Sequence, residues 1–140
     1  MTELLATIAA FPLSTWLRPS FVAYPLVSAL HILGAGGLVT LVWLMHWMGR
    51  DGRAASGPDV TRFAALALAL MAISGLALFS VKPGDYAENP AFLIKLALIS
   101  SALANIAIYY TLPAMRRVTS VVSACVWPGV LVAGRFIGFV

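Results

Sequence analysis

Two imidazoles share one apolar stretch, SALHILGAGGLVTLVWLMHWMGR at residues 28–50, and they are the side chains with the most chemistry to offer. His31 stands about eleven residues into a run that opens near residue 20, which places it about 16 Å along a helix. In a bilayer that depth is near the middle of the hydrocarbon, where an ionisable ring must hydrogen-bond, bind a metal or face a polar cavity. Gly34, Gly36 and Gly37 remove side-chain bulk beside it, leaving space for a cofactor or for a close helix partner. A plain interhelical hydrogen bond is the other use of the same ring.

His46 lies about 22 Å further along and about 60° round the helix. Its neighbours Trp43, Trp47 and Arg50 mark the membrane interface, so it reads as part of an aromatic belt. Bis-histidine ligation of one haem is excluded, because the sequence has two histidines and this separation keeps them off the same iron. A His/Met site is the form that fits, with Met71 in the next apolar run at a depth like that of His31 and Gly75 one turn away on its face. Such a site suits haem b, or copper(I) in a soft His/Met or His/Cys setting with Cys125. Met71 as ordinary packing is the competing reading. Lys95 and Arg135, each about five residues from a helix or chain end, are the candidates to neutralise haem propionates, a quinone head or an anionic partner. Snorkelling, or pairing with Asp85 and Glu88, is the alternative for both. Asn105, Tyr109 and Tyr110 form a polar stripe of the kind that holds helices together.

These residues need apolar helices to carry them, and four runs serve: about 20–48, 60–81, 90–112 and 118–138, each of spanning length. Gly49 to Gly57 breaks the first, and Asp59 after Pro58 is the expected N-cap of the second. VKPGDYAENP reads as a turn, with Asn89 as N-cap and Pro90 in the first position of the third helix. Pro113 closes that helix, and Arg116 with Arg117 marks the membrane surface before the fourth. Ahead of the first span, Leu4, Leu5, Ile8 and Phe11 recur at helical spacing, so a short helix over about 2–17 is expected to lie in the interface. The expected fold is all-α: one integral-membrane four-helix bundle, residues 1–140, with an N-terminal interfacial helix.

Composition agrees. Of 140 residues, 61% are hydrophobic and 10% charged, leaving too little polar surface to cover a soluble globule. The net charge of +4 does not signal nucleic acid, since the basic residues are scattered over loops and helix ends instead of one polar face. Arg50, Arg53, Arg62, Arg116 and Arg117 outweigh Arg18 and Lys82 on the opposite side, which orients both termini out of the cytoplasm, into the periplasm of a bacterial cell. The N-terminus has no basic residue before Arg18, unlike a signal peptide, and is expected to stay in the mature protein. The single Cys125 forms no intramolecular disulfide. No nucleophile–base–acid set, zinc pattern or phosphate loop is present, and independent catalytic activity is not expected.

With LRPSFVAYPLVSALHILGAGGLV, NPAFLIKLAL and WPGVLVAGRFIGFV, the chain resembles an uncharacterised family of small four-helix bacterial inner-membrane proteins. More distantly it resembles the copper-resistance D membrane domain and cytochrome b561-like bundles. The resemblance carries over His31 in LHILG, Lys95 in NPAFLIK and Arg135 in AGRFIG. The chain departs from it at Ser28, where an acidic residue is usual, and at Tyr109 and Tyr110, where a histidine is.

Three functions are compatible with these residues. One is a redox-linked membrane subunit holding haem b, or copper, through His31, with Met71 as second ligand and Lys95 or Arg135 as anion clamps. Another is a non-catalytic accessory subunit without cofactor, packed in the bilayer against other membrane proteins or further copies of itself. The last is a copper or small-solute permease, for which few intramembrane polar residues are available to line a path.

Overall fold

The computed structural model describes residues 2–50 and 57–139. Four helices are long and apolar enough to cross a membrane: α3 (Ala23–Arg50), α4 (Pro58–Val81), α6 (Pro90–Thr111) and α7 (Arg116–Phe136). The short α1 (Thr2–Ala9) and α2 (Pro12–Leu17) precede them, α5 (Pro83–Glu88) links α4 to α6, and a 3₁₀ turn at Pro113–Met115 links α6 to α7. The chain is an all-α bundle and a multipass membrane protein.

Local chemistry explains where the helices depart from expectation. α3 runs on through Gly49 to Arg50 instead of breaking there. A glycine costs a helix about 1 kcal/mol, less than leaving backbone groups unpaired at the edge of a bilayer. The expected break and Arg53 fall at residues 51–56, outside the described residues. Gly57, not Asp59, is the N-cap of α4, with Pro58 at the first position, where its missing N–H is not needed. Asp59 moves into the first turn, where its charge suits the helix dipole, 3.9 Å from Arg62. The segment expected as a turn is instead the helix α5, opened by Pro83 as α6 is opened by Pro90. Asn89 caps α6 as its type predicts, its side-chain oxygen accepting from the Phe92 amide at 3.1 Å. The single N-terminal helix is two, because Pro12 forces Phe11 into an extended conformation, ψ 141°.

α3 packs along α4 and α6 along α7, and the two pairs meet where α3 crosses α7. α4 and α6 do not pack along each other, so the helices form an open circuit in the order α4, α3, α7, α6. α1, α5 and the C-terminal end of α7 lie at one end of the bundle, here the terminal end; the end of α3, the start of α4 and the turn between α6 and α7 lie at the other, the loop end.

Leu38, Ala64, Met71, Ala102, Trp127 and Val130 form the buried core. Polar ties fix the helices around it. Asn105 donates from Nδ2 to the Thr119 carbonyl and to Ser123 Oγ, both at 2.8 Å, joining α6 to α7. Trp43 Nε1 donates to the Ala124 carbonyl at 3.0 Å, joining α3 to α7. At the terminal end, Phe79, Tyr86 and Phe92 gather α4, α5 and α6, with Phe79 and Phe92 stacked at 5.4 Å. Arg18 donates to the Val81 carbonyl at 2.7 Å, satisfying the C-terminus of α4.

Candidate functional site

His31 is held between α4 and α6. Its Nδ1 lies 2.9 Å from the Met71 carbonyl and 3.1 Å from Ser74 Oγ. A carbonyl only accepts, so Nδ1 carries the proton and donates. Ser74 gives its own hydroxyl proton to the Leu70 carbonyl, which leaves its oxygen free to accept from the ring. The other ring nitrogen, Nε2, is therefore a lone pair in the neutral imidazole, and Lys95 Nζ stands 3.2 Å from it.

The surrounding backbone is cut to fit these two side chains. A Cβ on Gly75 would come within 3.0 Å of His31 Cε1, and one on Gly134 within 3.3 Å of Lys95 Nζ. The imidazole thus lies over Gly75 of α4, and the ammonium over Gly134 of α7. The glycines next to His31 in sequence do something else. A Cβ on Gly34 would meet the Met71 backbone nitrogen at 2.9 Å, so Gly34 serves the close approach of α3 to α4, whereas a Cβ on Gly36 meets nothing within 4 Å. Of the two uses expected for this glycine cluster, a cofactor or a close helix partner, Gly34 shows the close helix partner.

Each helix contributes one part. His31 is eight residues into α3, about 12 Å along it, and Lys95 is five residues into α6, about 8 Å along it. The pair is in the terminal half of the bundle. It carries at most one positive charge, because two protonated groups would point N–H at N–H. The salt bridges among the described residues, Asp59 with Arg62 and Asp85 with Lys82, lie elsewhere.

Of the four residues singled out from sequence, three meet here: His31, Lys95 and Met71, the last through its backbone carbonyl, while its side chain belongs to the core. Arg135 stays apart and exposed, its guanidinium 4.9 Å over the Phe139 ring. Lys95 reaches neither Asp85 nor Glu88 but turns inward to the imidazole. Cys125 is exposed on α7. Among the described residues no three His, Cys, Asp or Glu side chains are grouped to hold a metal. His46 Nδ1 is 3.0 Å from Ser120 Oγ, tying α3 to α7. Ser74 and Gly134 were not picked out from sequence. Ser74 follows Met71 by three residues on one helix face, and Gly134 immediately precedes Arg135 in AGRF, so both lay beside residues that were.

A separate cavity of about 180 Å³ lies in the loop half, between the two helix pairs. Leu38 and Val42 of α3, Ala65 and Leu68 of α4, Tyr109 of α6 and Trp127 of α7 are among its walls, and none of its lining residues is charged. The chain matches no protein-family model, no curated protein and no solved structure.

Proposed function

We propose that this chain is a redox-linked subunit of a bacterial inner membrane, with its termini on the periplasmic side, whose working part is the His31–Lys95 pair. The pair holds one exchangeable proton within the bilayer and presents one positive charge to a redox group or anion on the terminal side. The contact of Lys95 Nζ with His31 Nε2 at 3.2 Å carries this reading. Two basic groups are costly neighbours in hydrocarbon, and intramembrane ionisable residues kept at such cost mark proton relays and ligand sites. Ser74 and the Met71 carbonyl fix the ring, so the proton traffic is confined to the Nε2 side. Reconstituted in bilayers, Lys95→Met is expected to abolish the proton exchange of His31 while leaving its Nδ1 bond intact. An unchanged exchange rate in that variant would overturn the reading.

Haem b or copper held by His31 is the second reading, and a specific observation favours it. Metal-ligating imidazoles donate their other ring N–H to a carbonyl or carboxylate, as His31 does to Met71. The arrangement within the bundle does not fit a macrocycle: Nε2 is engaged by Lys95, and Gly75 and Gly134 are covered by the very side chains that would have to yield. A haem would require Lys95 to leave Nε2. Oxidised and dithionite-reduced absorption spectra of gently extracted protein, with metal analysis, decide it: a stoichiometric b-type spectrum lost in His31→Ala supports the haem, and a colourless, metal-free sample removes it. A colourless sample that migrates with larger partners in mild detergent would instead indicate the accessory subunit.

A further inference from the structure

The end of α4 marks where a span leaves the bilayer, so the cleft beside it lies at the level of the lipid headgroups on the terminal side. This cleft, of about 510 Å³, opens between α1 and the junction of α4 with α5. Leu5 and Ala6 of α1 give it an apolar wall, while Arg18, Lys82, Asp85 and Glu88 supply charges of both signs. Leu4, Phe11 and Trp16 of the N-terminal segment are exposed, as in a segment that rests its apolar side on acyl chains. The cleft therefore stands where lipid meets water.

Its charges are not all neutralised within the chain. Lys82 and Asp85 meet at 3.7 Å and answer each other. Arg18 gives one of its five N–H donors to the Val81 carbonyl, which holds the guanidinium at the cleft, and it takes part in no ion pair among the described residues. Glu88, which is exposed, likewise has no ion-pair partner among the described residues. One cation and one carboxylate thus line the same cleft without meeting. An anion alone would satisfy Arg18 and be repelled by Glu88, and a cation alone would do the reverse. A molecule with both charges a few bonds apart satisfies the two, and the planar fork of a guanidinium matches a phosphate.

We infer that this cleft binds the headgroup of a zwitterionic aminophospholipid, with the phosphate on the Arg18 guanidinium, the primary ammonium on the Glu88 carboxylate and the acyl chains leaving past the α1 wall into the bilayer. A primary ammonium donates hydrogen bonds to a carboxylate, which the trimethylated ammonium of a choline lipid cannot do, and a glycerol headgroup has no cation to offer Glu88. The inference goes beyond the reading of the His31–Lys95 pair and does not depend on proton exchange there.

The test titrates the full chain, stripped of lipid in mild detergent, with dioleoyl phosphatidylethanolamine and separately with the choline and glycerol lipids of the same chains, and counts bound lipid by native mass spectrometry. One ethanolamine lipid should bind about tenfold more tightly than either of the others, the worth of a hydrogen bond to a charged group. Glu88→Gln, at an exposed position without an ion-pair partner, should lower the ethanolamine lipid to the affinity of the choline lipid. Arg18→Gln should weaken all three, since each carries the phosphate. Glycerophosphoethanolamine, the same headgroup without chains, should not compete at equal concentration. The inference is overturned if the three lipids bind alike, if the glycerol lipid binds most tightly, which would make the cleft a site for anions, or if either variant binds as wild type. Equal competition by the chain-free headgroup would also overturn it, by making the ligand a soluble zwitterion.

Discussion

Lys95 Nζ faces His31 Nε2 at 3.2 Å, a base against a base, the two residues 64 positions apart in sequence. Neither has a carboxylate within its hydrogen bonds, and both rest on glycines of other helices. The arrangement is stable because each nitrogen has a defined partner: Nδ1–H donates to α4, and Nε2 accepts from α6.

Removing the two partners should therefore have unequal effects. His31→Ala strips the ammonium of its acceptor and is expected to cost about 3 kcal/mol. Lys95→Met leaves a ring lone pair unpaired but takes a charge out of the bilayer, and these offset to within about 1 kcal/mol. Thermal unfolding in mild detergent measures both; equal losses would contradict the assignment of the charge to Lys95.

Glycine substitutions should separate packing from open space. Gly34→Ala drives a Cβ against the Met71 backbone nitrogen, which cannot move aside without displacing α4, and should destabilise by about 1–3 kcal/mol. Gly36→Ala, two residues on, meets nothing within 4 Å and should stabilise by up to about 1 kcal/mol through helix propensity. The same unfolding measurement compares them, and a Gly34→Ala protein as stable as Gly36→Ala would refute the close α3–α4 contact.

Tyr86, in the short helix α5 outside the spans, links stability to pH. Its phenol is raised from the usual 10.0 to about 12, first by burial, then by the hydrogen bond it donates to Tyr24, the charge there and the Asp85 carboxylate. The unfolded chain ionises this phenol first, so the stability it confers is complete below about pH 10 and is lost as pH rises toward 12. In unfolding measured across that window, Tyr86→Phe should show a shallower alkaline decline than wild type. Parallel curves would contradict it.

Asn105→Leu should weaken the α6–α7 pairing by about 1 kcal/mol, the usual worth of an interhelical polar contact in a bilayer. Urea-assisted unfolding in detergent would register this as a lower midpoint. An unchanged midpoint would mean that the Asn105 bonds contribute nothing net.

Much of the fold could be read from one dimension, because bilayer spans are declared by length and apolarity, and because Asn89–Pro90 is a local signal. α5 and the break at Phe11 could not. Short helices beside prolines are decided by which neighbours they pack against, and α1 packs against α5. At the site, residue type and depth brought out His31, Met71 and Lys95, but depth says nothing of azimuth. Arg135 is at a similar depth to Lys95 and turns to Phe139 instead. The meaning of the glycines was also three-dimensional: Gly34 lies near His31 in sequence yet serves α4, while Gly75 and Gly134, far from their partners in sequence, are the ones that make room for His31 and Lys95. The unpaired indole of Trp127 has no signature in sequence at all, since an indole's partner is set by the packing around it.

The most direct test of the central claim is nitrogen-15 NMR of imidazole-labelled protein in bilayers, wild type and Lys95→Met, through a pH titration. His46 gives the second signal and serves as internal reference. The account predicts that His31 keeps Nδ1 protonated throughout, that its Nε2 shows the shift of a lone pair bonded to an ammonium, and that this shift and its proton exchange vanish in Lys95→Met. A His31 signal with Nε2 protonated and Nδ1 bare, or one indifferent to the loss of Lys95, would contradict it.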